Sequence, residues 1–174
     1  MMTFVLGGGC FWCLDSAYVN FNGVISVDVG YMGGTLDNPS YERVCDGNTG
    51  HAEVVRLTFD EELIPASVIL DMFFTMHDPT QLNRQGHDVG TQYRGCMFYA
   101  DDLQREIFEA ARDRAKAYWG EGVVTEISPI ETFWMGEEYH QDYFAKNPGN
   151  GYCQAVVLPK VAKVRASFAQ YLRD

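Results

Sequence analysis

The chain of 174 residues predicts an α+β fold, a two-layer sandwich of a mixed sheet with helices around a ferredoxin-like core. Apolar stretches with strand alternation and stretches with helical spacing take turns along it. The strand-like stretches are few and short, which argues against a doubly wound parallel sheet. No repeat, low-complexity tract or linker interrupts the sequence. Residues 1–174 are therefore expected to form a single domain, with residues 155–174 as a C-terminal tail helix. A chain of this length buries roughly two-thirds of its unfolded surface.

"TFVLGG" reads as a short buried strand, and its glycines let the backbone turn sharply. "FWCLDSAYVNF" then carries apolar residues at helical spacing until Asn22–Gly23 stops it. "VISVDVGYMGG" is a second strand closed by Gly33–Gly34, and "NPSYERV" a short helix opened by Asn38 with Pro39 at its first position. "AEVVRLTF" alternates as a third strand, and "PASVILDMFFTMH" is an amphipathic helix with Pro65 near its start. The long polar stretch "DPTQLNRQGHDVGTQYR" is expected to be an ordered functional loop, since structureless loops of that length are uncommon in compact domains. "GCMFYA" follows as a strand, and "DDLQREIFEAARDRAKAYW" as a helix, acidic first and basic later as the macrodipole prefers. "VVTEISP" is a further strand and "GEEYHQDYFAKN" a short helix. "PGNGYCQ" reads as a mobile glycine-rich segment, and "PKVAKVRASFAQYLRD" as a helical tail with a basic face.

Composition narrows the function classes. The chain is 47% hydrophobic and 21% charged, an ordinary globular balance, with a generous 14% of aromatic residues, enough for some rings to line a pocket. A formal net charge of -11 argues against nucleic acid and anionic membrane surfaces, both of which select basic faces. No apolar run approaches the ~20 residues of a membrane span, and "MMTFVLGGG" lacks the features of a signal peptide, so the cytoplasm is the expected location. Five cysteines, Cys10, Cys13, Cys45, Cys96 and Cys153, are an odd count for a disulfide scaffold. Their thiols are expected to be free, with any disulfide transient and catalytic. Cys45 and Cys96 are taken as buried bystanders, and the four histidines, His51, His77, His87 and His140, as structural.

"GGGCFWCLD", residues 7–15, carries the chemistry. If a helix opens at Cys10, its sulfur lies among free amide N–H groups at the positive end of the dipole, which lowers a thiol's pKa. Cys13 lies one turn on, on the same face. A C-x-x-C after three glycines reads as a redox or metal motif. No second close ligand pair is present, so zinc is disfavoured and no metal site is expected. Thioredoxin-like dithiol exchange stays open, although Phe11–Trp12 between the cysteines suits an apolar platform for a small substrate group better. A non-enzymatic binding module also stays open.

"GGCFWC", "GYMGG", "NPSYERVCDGNTGHAEVV", "HDPTQLNRQGHDVGTQYR", "YHQDYF" and "NGYC", in that order from Thr3 to Cys153, resemble the peptide methionine sulfoxide reductase A family. The resemblance implies a catalytic domain that reduces methionine-S-sulfoxide, free or in proteins, as antioxidant repair. Cys10 would attack the sulfoxide sulfur and be left as a sulfenic acid. Glu53 would be the general acid, with Tyr41 and Tyr93 toward the sulfoxide oxygen. Phe11 and Trp12 would enclose the substrate methyl, and Asp88 would support the polar side. A carboxyl held against aromatic walls favours its neutral form, as proton delivery to oxygen requires. Many family members have glycine where this chain has Cys13 and resolve the sulfenic acid with a C-terminal cysteine, here Cys153. Cys153 is therefore expected as first resolver, with Cys13 assisting or relaying. The resemblance further implies recycling by thioredoxin, or by dithiothreitol in vitro, with no bound cofactor. A monomer is expected.

Overall fold

In the computed structural model, which describes residues 1–174, the N-terminal alternation forms β1 (Met2–Gly7), followed by α1 (Phe11–Tyr18) and β2 (Val24–Met32). Next come α2 (Tyr41–Cys45), β3 (Ala52–Phe59) and α3 (Ala66–Met76). The long polar stretch is ordered by a two-stranded hairpin, β4 (Arg84–Gln85) with β5 (Asp88–Val89), and a 3-10 turn at Thr91–Tyr93. β6 (Cys96–Tyr99), α4 (Asp102–Trp119), β7 (Glu126–Pro129), β8 (Trp134–Met135), α5 (Tyr143–Lys146) and α6 (Leu158–Ser167) complete the chain.

The main sheet has the order β7-β6-β1-β3-β2-β8. It is mixed: β6 and β7 run parallel, and the other neighbours pair antiparallel. Alternation along the central strands divides their side chains between two faces. Phe4 and Leu6 of β1 join Val55, Leu57 and Phe59 of β3 beneath the helices, packed against Phe11 and Leu14 of α1 and Phe73 of α3. Val5, Met32, Val54, Cys96 and Phe98 form a smaller cluster on the other face, closed by Phe133 from the irregular stretch before β8. Both faces of the central strands are thus covered, one by helices and one by chain without helix. No helix is long and apolar enough to cross a membrane.

Several local expectations change. The short helix opens at Ser40, whose side chain accepts the Arg43 N–H at 3.2 Å, rather than at Asn38 with Pro39. Asn38 instead takes a left-handed conformation (φ 48°), which asparagine tolerates better than most residues. The short helix expected in "GEEYHQDYFAKN" is split into a 3-10 turn at Glu138–His140 and α5 by a left-handed Asp142. The segment read as mobile around Cys153 is helical: Cys153–Val157 form a π-helical turn running directly into α6. Pro159 offers no N–H to the carbonyl four residues back and its ring crowds it, which suits a widened turn there. The tail helix spans Leu158–Ser167, not the whole of 155–174, and a 3-10 turn at Ala169–Tyr171 follows. Cys45 is exposed rather than buried, whereas Cys96 lies fully buried in β6.

Candidate active site

Two glycines set the ground for Cys10. Gly7 ends β1 where a side chain would strike Cys96 Sγ at 2.7 Å and the Glu53 carbonyl at 2.9 Å, so its absence lets β1 lie close to the start of β3. Gly9 has φ +89°, open to glycine at little cost, and donates its N–H to the Tyr93 carbonyl at 3.2 Å. The chain then enters α1 with Cys10 as its N-cap residue. The Cys10 side chain makes no capping hydrogen bond to the helix, and its thiol neighbours that of Cys13. The helix terminus does not win the balance expected of it. Burial, reinforced by the neighbouring Cys13 thiol and by Glu53, holds the Cys10 thiol above the ordinary thiol range, and the Trp12 amide only offsets this. A partly exposed thiol at a helix N-terminus gains from the dipole without losing water. Cys10, 7% exposed, has lost that water.

Glu53 lies on the helix-facing row of β3, in register with Tyr31 of β2 and two residues before the core residue Val55. Alternation therefore carries a carboxyl into the core at the end of a strand, where the start of α1 crosses it. The residue is 1% exposed; Oε1 accepts the Phe11 N–H at 3.2 Å, and Oε2 has no hydrogen-bond partner. Burial pushes the carboxyl up to about 8, against the opposing Phe11 amide. At neutral pH Glu53 is thus mainly a neutral acid beside a thiol, with one oxygen free for another molecule.

Tyr41 is the first residue of α2, and its backbone N–H is fixed by Glu137 Oε2 at 2.9 Å. Tyr93 comes from the 3-10 turn after the hairpin, facing Glu53, Asp88 and Cys10. Burial pushes both phenols up, keeping them protonated donors. Both hydroxyls neighbour the sulfur of Cys45, at the end of α2, and oppose the rise that burial imposes on its thiol. Sequence reading had assigned Cys45 no contact with the site.

Aromatic rings close the rest. Phe11 is fully buried, 6.3 Å from the Tyr41 ring in a stacked arrangement, while Trp12 is half-buried with one face against Tyr143 (centroids 3.8 Å, planes 4° apart). Trp12 Nε1 donates to His140 Nδ1 at 3.0 Å, and the His140 ring lies 4.3 Å from Tyr41. Accepting at Nδ1 puts the proton of the neutral imidazole on Nε2, which is buried without a partner; burial lowers the pKa and favours that neutral form. Tyr152 approaches Trp12 edge-on, and its hydroxyl donates to Asp88 Oδ2. His140, Tyr143 and Tyr152 were not selected from the sequence, although "YHQDYF" and "NGYC" contain all three. Their aromatic character was visible, but their meeting at Trp12 depends on contacts between residues 128 or more positions apart. His51 and His77 do bond loop and helix carbonyls, of Leu36 and Phe73, and His87 is exposed.

Residues 2–172 match the family model for peptide methionine sulfoxide reductase. The chain belongs to that family. A peptide methionine sulfoxide reductase MsrA of Clavibacter michiganensis subsp. michiganensis is 61% identical over 173 residues, covering 99% of both chains. The reduced form of Mxr1 from Saccharomyces cerevisiae superposes with a TM-score of 0.83 at 35% identity, covering 87% of this chain and 88% of that one. Mxr1 in complex with Trx2 shares the fold at a TM-score of 0.58 and 23% identity, over 82% of this chain and 84% of that one.

In this member of the peptide methionine sulfoxide reductase family all five cysteines are free. Cys13 is buried one turn into α1; the neighbouring Cys10 thiol lowers its pKa, and burial opposes that. Cys153, fully buried at the start of the π-helical turn, has its thiol raised by burial and then by Cys13, the thiol beside it. Of the three thiols, Cys13 is the one that bears on both others, raising the pKa of Cys10 and of Cys153. The five other residues expected at the site, Phe11, Trp12, Tyr41, Asp88 and Tyr93, lie around these thiols and Glu53. No three His, Cys, Asp or Glu side chains group as a metal ion would require.

Proposed function

We propose that the protein reduces methionine-S-sulfoxide, free or in proteins, to methionine, acting as one catalytic domain over residues 1–174. The observation that carries this reading is Glu53, a buried neutral carboxyl with one oxygen unpartnered, beside the Cys10 thiol. The Cys10 sulfur attacks the sulfoxide sulfur, its thiol proton passing to Glu53 as Glu53 gives its own proton to the oxygen. As the S–O bond breaks, that oxygen passes to sulfur as the hydroxyl of a Cys10 sulfenic acid, releasing the thioether and leaving Glu53 neutral again. Tyr41 and Tyr93 donate to the oxygen. Phe11 and Trp12 enclose the methyl group, with His140 and Tyr143 behind them, and the Tyr152–Asp88 pair borders the polar side. Apolar contact with a methyl discriminates by only about 1–3 kcal/mol, so choice of epimer also needs the directed oxygen contacts.

These three thiols support an order of resolution different from the one read in the sequence. Cys13, the neighbouring thiol one turn along α1, attacks the sulfenic acid, forming the Cys10–Cys13 disulfide and releasing water. Cys153 then attacks Cys13, freeing Cys10 and leaving a Cys13–Cys153 disulfide. A dithiol of the thioredoxin class, near −270 mV, reduces it, with no bound cofactor required. The family resemblance points to thioredoxin, and the chain's acidity and lack of an apolar span support a monomer working in the cytoplasm. The test is an assay of purified protein with dithiothreitol and the pure S epimer of a methionine sulfoxide derivative. Methionine product is expected; its absence would overturn the reading.

A further inference from the structure

One buried acid takes no part in this chemistry. Asp15 lies in α1, three residues beyond Trp12, and is 2% exposed. Its Oδ2 accepts the backbone N–H of Asp142 at 2.9 Å, across 127 residues of sequence. Asp142 is left-handed (φ 54°, ψ 41°), a conformation that side chains other than glycine disfavour. Two of the residues that touch Trp12 flank this corner: His140 accepts its indole N–H, and Tyr143 stacks on its ring. Between them Gln141 is tied to the N–H and carbonyl of Val29 and to the Gly136 carbonyl, which fastens the segment to β2 but leaves the turn undetermined. Asp15 is the group that meets the turn's own N–H. Burial pushes its carboxyl up to about 7, the Asp142 amide and Lys146 opposing, and Asp142 and Asp28 adding to the rise.

We infer that Asp15 is a positioning residue of the substrate pocket, holding Asp142 in its left-handed turn so that His140 and Tyr143 are seated against Trp12. The inference rests on the proposal that Trp12 lines the pocket for the sulfoxide's methyl group. It explains an otherwise costly feature, a carboxyl buried in a helix that carries the nucleophile yet too far along that helix to share in its chemistry. The bond joins the N-terminal helix to the late segment at the point where both contribute to one aromatic wall.

The test compares Asp15→Ala, Asp15→Asn and the double variants Asp15→Ala/Asp142→Gly and Asp15→Ala/Asp142→Ala. Two readouts are taken: steady-state reduction of a methionine sulfoxide derivative with dithiothreitol, and the near-UV circular dichroism of Trp12, defined as the signal lost in Trp12→Phe. Asp15→Ala should raise KM about tenfold with kcat within about threefold, and diminish the Trp12 signal. Asp142→Gly should restore most of both, because glycine enters the left-handed region without help; Asp142→Ala should restore neither. Asp15→Asn keeps an acceptor oxygen and should leave KM within about twofold, which also serves if Asp15→Ala fails to fold. Unchanged KM and dichroism in folded Asp15→Ala, a loss that glycine does not repair, or an equal loss in Asp15→Asn would each overturn the inference. If the parent releases no methionine while the dichroism behaves as described, the proposed activity fails and the positioning role stands.

Discussion

The two halves of the proposed site are built differently. Around Cys10 and Glu53 each residue is aimed by a local feature, namely a glycine with positive φ, a helix beginning, and a strand alternation that points one carboxyl inward, and the Phe11 N–H then joins the two across 42 residues. The wall formed by His140, Tyr143, Tyr152 and Cys153 is assembled at long range, through Trp12 to His140, Asp15 to Asp142, and Tyr152 to Asp88. In the proposed mechanism the first half sets where bonds break, and the second sets where the substrate sits and where the disulfide goes. Substitutions should separate accordingly, with losses of chemistry in the first region and losses of affinity or recycling in the second.

The largest effect belongs to the first region. Cys10→Ser should abolish product formation, in single-turnover and steady-state assays alike. Glu53→Gln should follow, with kcat lower by about 10²–10⁴, the usual range for removing a general acid. In the parent, kcat should fall as pH rises through about 8, where Glu53 loses its proton; in Glu53→Gln that limb should disappear. Stability should fall with rising pH as well, so the substitution should act on it in the opposite sense to its effect on rate. The folded-state pKa of Glu53 lies above the unfolded value, so the unfolded chain releases this proton first and the native state weakens as pH rises from about 4 to about 8. Glu53→Gln removes that loss, and its Tm at pH 8 should exceed the parent's. A lower Tm would mean that the carboxyl is not strained by burial, which would undercut its role as an acid.

The second region should show a split between turnover and repair of the enzyme. Cys153→Ser should still release one methionine per enzyme and accumulate a Cys10–Cys13 disulfide, while its steady-state rate with thioredoxin drops at least tenfold. Cys13→Ser should release the same single equivalent but leave the sulfenic acid exposed to dimedone. If Cys153→Ser instead accumulates the sulfenic acid and Cys13→Ser recycles normally, Cys153 is the first resolver and the proposed order does not hold.

The same division explains what the sequence disclosed. Strand and helix types were legible because period-2 and period-3.6 patterns are local, and the C-x-x-C, Glu53 and Tyr41 stand in compact motifs. Cys153 was misread because glycine and proline around it signal looseness, whereas burial under α1 and the core overrides that signal and winds the segment into a helix. Cys10 was misread in the same way. The dipole at a helix start is a local property, but the desolvation that outweighs it comes from the surrounding fold. Cys45 looked like one more small apolar residue, and only the paths of α2 and of the turn at Thr91–Tyr93 bring two phenols to its sulfur.

The smallest effect expected is also the cleanest probe of the long-range half. Tyr152 is half-buried at the threshold of the π-helical turn, and its hydroxyl is the bond from this segment to Asp88 of the β4–β5 hairpin. Tyr152→Phe keeps the ring against Trp12 and removes only that bond. A hydrogen bond to a charged group contributes about 1.5–3 kcal/mol, and partial exposure of both partners places this one near the lower end. Tm should therefore fall by a few °C, read by thermal unfolding, with the single-turnover rate nearly unchanged. Amide exchange should quicken in Cys153–Val157 and leave Phe11–Tyr18 as in the parent. Equal quickening in both would mean that the two halves open as one unit, and the division between a locally built chemical half and a remotely assembled binding half would not hold.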